Sequence, residues 1–210
     1  MNFRKLDPDL GYRRDHLWLP LSKIRNTNGI KNSLTFPQET KAPIFAYGKT
    51  STHLVVPREY YSYRDWGNLP YEVVDVTPDN FPKVQVSPTF PLKDTIQETS
   101  FRALVEGNSG VLSLGCGRGK TVIALHAWAK LGMPLLVVTP TIDLAYQWRS
   151  RILEHTSVGE DEIGWVQGAK RDWEHPVTIA TIHTMAQKYD EFPEEMRRHF
   201  GVGVFDEIHR

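Results

Sequence analysis

The sequence predicts an α/β fold, a mostly parallel sheet carrying a phosphate-binding loop, preceded by a small strand-rich domain. Three observations lead there. From Leu92 onward, short apolar runs alternate with helix-length segments. A glycine-dense string, Leu-Gly-Cys-Gly-Arg-Gly-Lys-Thr at Leu114–Thr121, joins one such run to one such segment. Ten of the 14 prolines lie at or before Pro91, so the texture of the chain changes there. The predicted domains are residues 1–88, β-rich, and residues 89–210, α/β, with Pro88–Pro91 as the connection.

In the first domain, β-branched residues recur with polar ones between them over His53–Val56, Tyr71–Val76 and Lys83–Ser87, which predicts three strands. Thr77–Pro82, with Pro78, Asp79 and Asn80, suits a hairpin loop. In the second, Thr95–Glu106 reads as a helix and Val111–Leu114 as a short buried strand. Thr121–Leu131 reads as a helix closed by Gly132 and Pro134. Leu135–Thr139 is the next buried strand. Leu144, Trp148 and Ile152 recur every four residues, which predicts a helix over Ile142–His155 with one face against a sheet. Val177–Ala180 and Val202–Phe205 complete the strands. Strands separated by helix-length segments pair in parallel through right-handed crossovers.

Composition excludes several classes. Lys+Arg 25 against Asp+Glu 25, with 40% hydrophobic residues over 210, describes an ordinary globular chain. The longest apolar stretch, Met133–Val138, is too short to span a bilayer, and Arg4, Lys5 and Asp7 occupy the place of a signal-peptide core. An intracellular protein with no membrane partner is expected. The single cysteine, Cys116, and eight scattered histidines build neither a disulfide nor a structural zinc site, so no metal is implied beyond one brought by a nucleotide. Residues 1–89 hold 12 basic and 9 acidic residues, and residues 90–210 hold 13 and 16, an asymmetry that fits an ordinary solvated surface.

The glycine string meets the pattern GxGxGKT at Gly115, Gly117, Gly119, Lys120 and Thr121, although the looser GxxxxGK[ST] finds Leu114 where it asks for glycine. Glycines let the backbone curl so that successive N–H groups, with the N-terminus of the next helix, point at phosphate oxygens. Lys120 is the candidate partner of the β- and γ-phosphates of ATP, Thr121 a candidate ligand for Mg2+, and Arg118 lies within the same loop. A turn that merely joins strand to helix does not need Lys and Thr in those places. Gly48-Lys49-Thr50 lacks the preceding glycines and the following helix and reads as chance. Asp206 and Glu207 follow the apolar run Val202–Phe205, at the strand end where open sheets present ligands. Asp206 suits Mg2+, and Glu207 suits orienting and deprotonating an attacking water.

At Asp206-Glu207-Ile208-His209 the chain resembles superfamily-two helicases of the DExH type, over Leu92–Arg210. Val137–Trp148 is similar to that family's motif Ia, and Trp165–Gly168 and Thr178–Thr184 to the next two stretches. The resemblance implies a RecA-like lobe and an ATP-dependent helicase or translocase acting on nucleic acid, in the first place DNA. Lys120, Asp206, Glu207 and His209 would be catalytic, with His209 coupling the nucleotide site to the strand. Gln97 would read adenine, one residue out of the usual spacing. Pro140, Thr141, Gly168 and Thr181 would touch a nucleic-acid backbone, although Thr139, Thr141 and Thr181 equally suit helix caps and turns. Within the family the string with Cys116, Ile30–Phe36 and Leu54–Tyr60 look most like phage and poxvirus helicases, with the excision-repair branch close behind. The first domain would then be an accessory module, with Tyr60, Tyr61, Tyr63 and Trp66 among Arg58 and Arg64 either stacking bases or filling a core.

The resemblance also implies a second lobe, and a strand between the phosphate-loop strand and the Asp206 strand. Neither lies within these residues, so a longer protein, a gapped sheet and weak activity of the piece are expected. A translocase subunit of a restriction or remodelling machine, which does not unwind, and a non-catalytic nucleotide-responsive module are the alternatives.

Overall fold

The structure is a computed structural model that describes residues 6–13, 16–39, 42–58, 60–61, 67–76, 81–107, 109–188 and 191–207. It divides into two compact units, Met1–Asp79 and Asn80–Arg210.

The first unit contains strands β1 (Gly11–Arg13), β2 (His16–Pro20), β3 (Thr35–Phe36), β4 (Ile44–Phe45), β5 (Gly48–Lys49), β6 (His53–Pro57) and β7 (Val73–Asp75) with one helix, α1 (Thr27–Ser33). Five strands form a sheet in the order β5-β6-β2-β1-β7, antiparallel except for β1 with β7, and β3 pairs with β4 separately. The β2–β6 register sets Leu17 against Val56 and Leu19 against Leu54, all four fully buried. Each such side chain is worth about 1.5–3 kcal/mol of burial. Helix α1 carries no apolar periodicity and was not predicted. It forms because Asn26 caps it, its side chain accepting from the Gly29 N–H at 2.8 Å, and because Ile30 reaches the core. Buried His53 is satisfied at both nitrogens. Nε2 donates to the Leu10 carbonyl at 3.0 Å, which leaves Nδ1 to accept from the Thr52 hydroxyl at 2.9 Å.

The second unit contains α2 (Thr95–Gly107), α3 (Lys120–Leu131), β8 (Leu135–Thr139), α4 (Ile142–His155), β9 (Ile163–Gln167), β10 (Lys170–Asp172), β11 (Val177–Thr181), α5 (Ile182–Gln187), α6 (Glu194–His199) and β12 (Val202–Phe205). Its sheet runs β10-β9-β11-β8-β12. β11, β8 and β12 are parallel, as predicted, and β9, which was not predicted as a strand, joins them in parallel, while β10 turns back antiparallel on β9. The registers pair Thr181 with Thr139 and Phe205 with Val138, so the carboxyl ends of these strands share one edge. The core is Trp128, Leu135, Val137, Trp148, Ile152 and Ile179 with their neighbours. Among the described residues no helix is long and apolar enough to cross a membrane.

Three expectations need correction. Val111–Leu114 is not a strand and Val111 is 77% exposed. A strand needs a neighbour for its N–H and C=O groups, and among the described residues Val111–Leu114 pairs with no strand and β12, the outermost parallel strand, has none on its far side, with Phe205 58% exposed. Lys83–Ser87 is also not a strand, since prolines at 82 and 88 remove donors at both ends. It lies extended along the second unit, with Val84 N–H on the Gly132 carbonyl at 2.9 Å and Val86 in the core. The break between units therefore falls after Asp79, ahead of the expected Pro88. Most of the proposed hairpin loop at 77–82 lies outside the described residues.

Candidate nucleotide-binding site

The loop from Gly115 enters α3 through two left-handed glycines, Gly117 (φ 75°) and Gly119 (φ 79°). Gly119 is the N-cap and contributes no side-chain bond, so the first N–H groups of α3 have no side-chain cap and present the positive end of its dipole. The turn Gly132–Pro134 reverses the chain from α3 into β8. With 12 residues α3 is about 18 Å long and the five-residue β8 about 16 Å. α3 packs against β12, the strand that Asp206 follows.

Gln97 anchors the loop. It is 6% exposed, its Oε1 accepts from Lys93 N–H at 2.9 Å, and its Nε2 donates to the Arg118 carbonyl at 3.1 Å. A Cβ on Gly119 would stand 2.5 Å from that Nε2, so a side chain there must displace the Gln97 amide, and the left-handed φ favours glycine in any case. The Lys120 ammonium donates to the Leu114 carbonyl at 2.9 Å and reaches the Gly115 carbonyl at 3.5 Å. A phosphate that takes this ammonium competes with two main-chain oxygens.

Beside the loop lies a cavity of about 500 Å³. Gly117–Val122 form one wall, Phe90, Pro91, Lys93 and Gln97 a second, and Arg151, Glu154 and His155 of α4 a third. Lys93, Arg118, Lys120 and Arg151 face a single carboxylate, Glu154, so the cavity favours anions. Arg151 pairs with Glu154 at 2.8 Å, and Phe90 meets His155 edge to face at 5.0 Å. The α4 wall and Phe90 were missed from sequence, because nothing in their local pattern separates them from a solvated helix end and a linker.

Asp206 and Glu207 are not among the cavity walls. The Asp206 N–H donates to the Val138 carbonyl at 2.9 Å. Its Oδ2 accepts from Trp148 Nε1 at 2.8 Å, and its Oδ1 from Glu207 N–H at 3.0 Å. Glu207 adopts φ 52°, a left-handed conformation that costs a non-glycine residue roughly 1–2 kcal/mol. His209 lies outside the described residues.

Pro140, Thr141, Gly168 and Thr181 all sit on the carboxyl edge of the sheet, by different local chemistry. Thr141 is exposed and caps α4, accepting from Leu144 N–H at 3.3 Å. Gly168 is exposed at φ 57°, and its N–H donates to Thr184 Oγ1 at 3.1 Å. Thr181 is 6% exposed and its hydroxyl donates to the same Thr184 oxygen at 3.0 Å. Thr184, which was not singled out from sequence, therefore ties the Gly168 turn to the end of β11. Tyr60 and Tyr61 pack against the core of the first unit, while Tyr63, Arg64 and Trp66 lie outside the described residues. Gly48–Lys49 is a two-residue strand paired with β6.

The family described as "Type III restriction enzyme, res subunit" (ResIII) matches residues 91–210. The chain is 41% identical over 108 residues to "DNA 3'-5' helicase XPB" of Kineococcus radiotolerans, across 49% of this chain and 19% of that one. It is 25% identical over 171 residues to "Putative ATP-dependent RNA helicase" of Acanthamoeba polyphaga mimivirus, across 78% and 31%. The chain thus spans between about a fifth and a third of the length of these relatives. Its fold is similar to the crystal structure of the UvsW helicase from bacteriophage T4, with a TM-score of 0.63 at 15% identity, across 95% of this chain and 82% of that one.

Proposed function

Because the chain belongs to the ResIII family and carries the first lobe of a superfamily-two helicase, we propose that it binds ATP with magnesium and serves an ATP-driven helicase or translocase acting on DNA. The observation that carries this reading is the cation-rich cavity of about 500 Å³ bounded by a glycine loop, Lys120 and Thr121, a volume within the range of small-ligand sites.

In this reading, the main-chain N–H groups from Gly115 to Thr121 cradle the phosphates and Lys120 pairs with the β- and γ-phosphates. Arg118 and Gln97 complete the nucleotide contacts, Gln97 chiefly by pinning the loop. The Thr121 hydroxyl and the Asp206 carboxylate form a donor set of hard oxygens that fits Mg2+. Magnesium supplies charge neutralisation at the transferring phosphoryl group. Glu207 orients a water and accepts its proton as that oxygen bonds to the γ-phosphorus and the bond to the leaving ADP oxygen breaks. His209 relays this event toward the strand, which Pro140, Thr141, Gly168 and Thr181 hold through its backbone. The first unit is an accessory nucleic-acid-binding module, with Lys31, whose ammonium lies 5.9 Å from the Tyr47 ring centroid, and exposed Phe45 on the edge of that ring as its contact.

The relatives named as DNA helicases support DNA; the mimivirus relative, named for RNA and matched over more of the chain, supports RNA as the second reading. Titration of a fluorescent ADP against the chain, and anisotropy of labelled single-stranded DNA, duplex DNA and RNA, test both. Nucleotide binding abolished by K120A and tighter binding of DNA than RNA are expected. Nucleotide affinity indifferent to K120A overturns the nucleotide site, and a preference for RNA selects the second reading.

A further inference from the structure

Asp206 is held more firmly than its position at the end of an outer strand requires. Its N–H is tied to Val138, and each carboxylate oxygen accepts one bond, Oδ1 from Glu207 N–H and Oδ2 from the Trp148 indole. The indole belongs to α4, 58 residues away in sequence. It is 5% exposed and packs in the core with Ala145, Ile152 and Val137, so its direction is set by packing and it cannot follow the carboxylate if that group turns. An indole N–H is a donor with no acceptor capacity, so a buried one demands an acceptor. With one bond accepted at each oxygen, the carboxylate keeps its remaining lone pairs in fixed directions instead of sampling rotamers.

We propose that Trp148 is a positioning residue for Asp206, its indole N–H preorganising the carboxylate so that affinity for magnesium-bound nucleotide depends on it. The inference rests on the reading of Asp206 as a metal-holding group. Donors that orient metal-holding carboxylates typically cost 10–100-fold in metal affinity when removed. Phenylalanine keeps an aromatic ring at 148 and deletes the donor.

The test is the affinity of the chain for a fluorescent ADP, measured with Mg2+ and again with EDTA, for the unaltered protein, W148F, D206N and the double variant. W148F is expected to weaken binding about tenfold with Mg2+, to leave binding in EDTA unchanged, and to add nothing on the D206N background. Equal loss with and without Mg2+, no loss at all, or a full additional loss on D206N overturns the inference, because packing alone predicts those patterns. D206N that weakens binding no more with Mg2+ than with EDTA instead removes the reading of Asp206 itself, whatever W148F does.

If W148F does not fold, a comparison of the unaltered chain with D206N still decides. In a 15N spectrum of its six tryptophan indoles, one N–H resonance is expected to move in D206N and again when Mg2+ and ADP are added. No indole moving in D206N overturns the inference.

Discussion

Gly119→Ala probes the loop at its tightest point. Gly119 has φ 79°, and an added Cβ would stand 2.5 Å from the Gln97 amide nitrogen. That amide is the end of a flexible side chain, but it is buried and bonded to main chain at both ends, so it cannot step aside without losing the Lys93 and Arg118 bonds. Alanine in the left-handed region costs about 1–2 kcal/mol, and displacing the amide costs about 1 kcal/mol more. The loop is exposed at Gly115 and Gly117, so the ligand-free variant escapes most of this by relaxing. A phosphate then has to restore the curl, and the 2–3 kcal/mol is withdrawn from binding, roughly 30- to 150-fold in Kd. Isothermal titration with ADP and Mg2+ reads it directly, with the melting temperature as a control expected to move little. Q97A removes the clash, so G119A on that background should cost only the left-handed term, a non-additivity that contact between the two groups demands. An unchanged Kd together with a melting temperature several degrees lower would refute the reasoning, because the strain would then belong to folding and not to the ligand.

K120A is expected to abolish detectable nucleotide binding without altering the far-UV circular dichroism, since the lysine's bonds are to loop carbonyls and its side chain holds no core. L54A empties a fully buried position between β2 and β6; denaturant unfolding should show a loss of about 2–5 kcal/mol, with nucleotide affinity unchanged. The His175 ring, 2.7 Å from Asp172, holds that carboxyl below its ordinary value of 3.8. A lowered carboxyl pKa stabilises the fold fully above the ordinary value, and the contribution fades as pH falls below 3.8. In H175A, 13C titration of Asp172 should return its pKa upward toward 3.8, and the acid-side loss attached to it should shrink.

Where local chemistry suffices, the sequence was legible. Leu135–Thr139 and Ile142–His155 have the predicted bounds, because Thr141 caps the helix, Trp148 and Ile152 repeat at its period, and a run of apolar residues has nowhere to go except a buried strand. β10 was missed because Lys170-Arg171-Asp172 carries no apolar signal and is recruited only by β9 across the Gly168 turn. Val111–Leu114 failed in the opposite sense: its composition is that of a strand, and composition cannot supply a neighbour.

The candidate site divides the same way. Glycine tolerance for φ above zero, a lysine and a hydroxyl at a helix start, and carboxylates after a strand are properties of short segments, so the amino-acid order alone singled out Gly115–Thr121 and Asp206-Glu207 as the candidates for phosphate and metal. The third wall of the cavity, the Gln97 anchor against Gly119, and the Trp148 bond to Asp206 join residues that are 21 to 58 positions apart. No local pattern encodes such pairs, because which distant side chains meet is settled only when the helices pack on the sheet and their buried donors find acceptors.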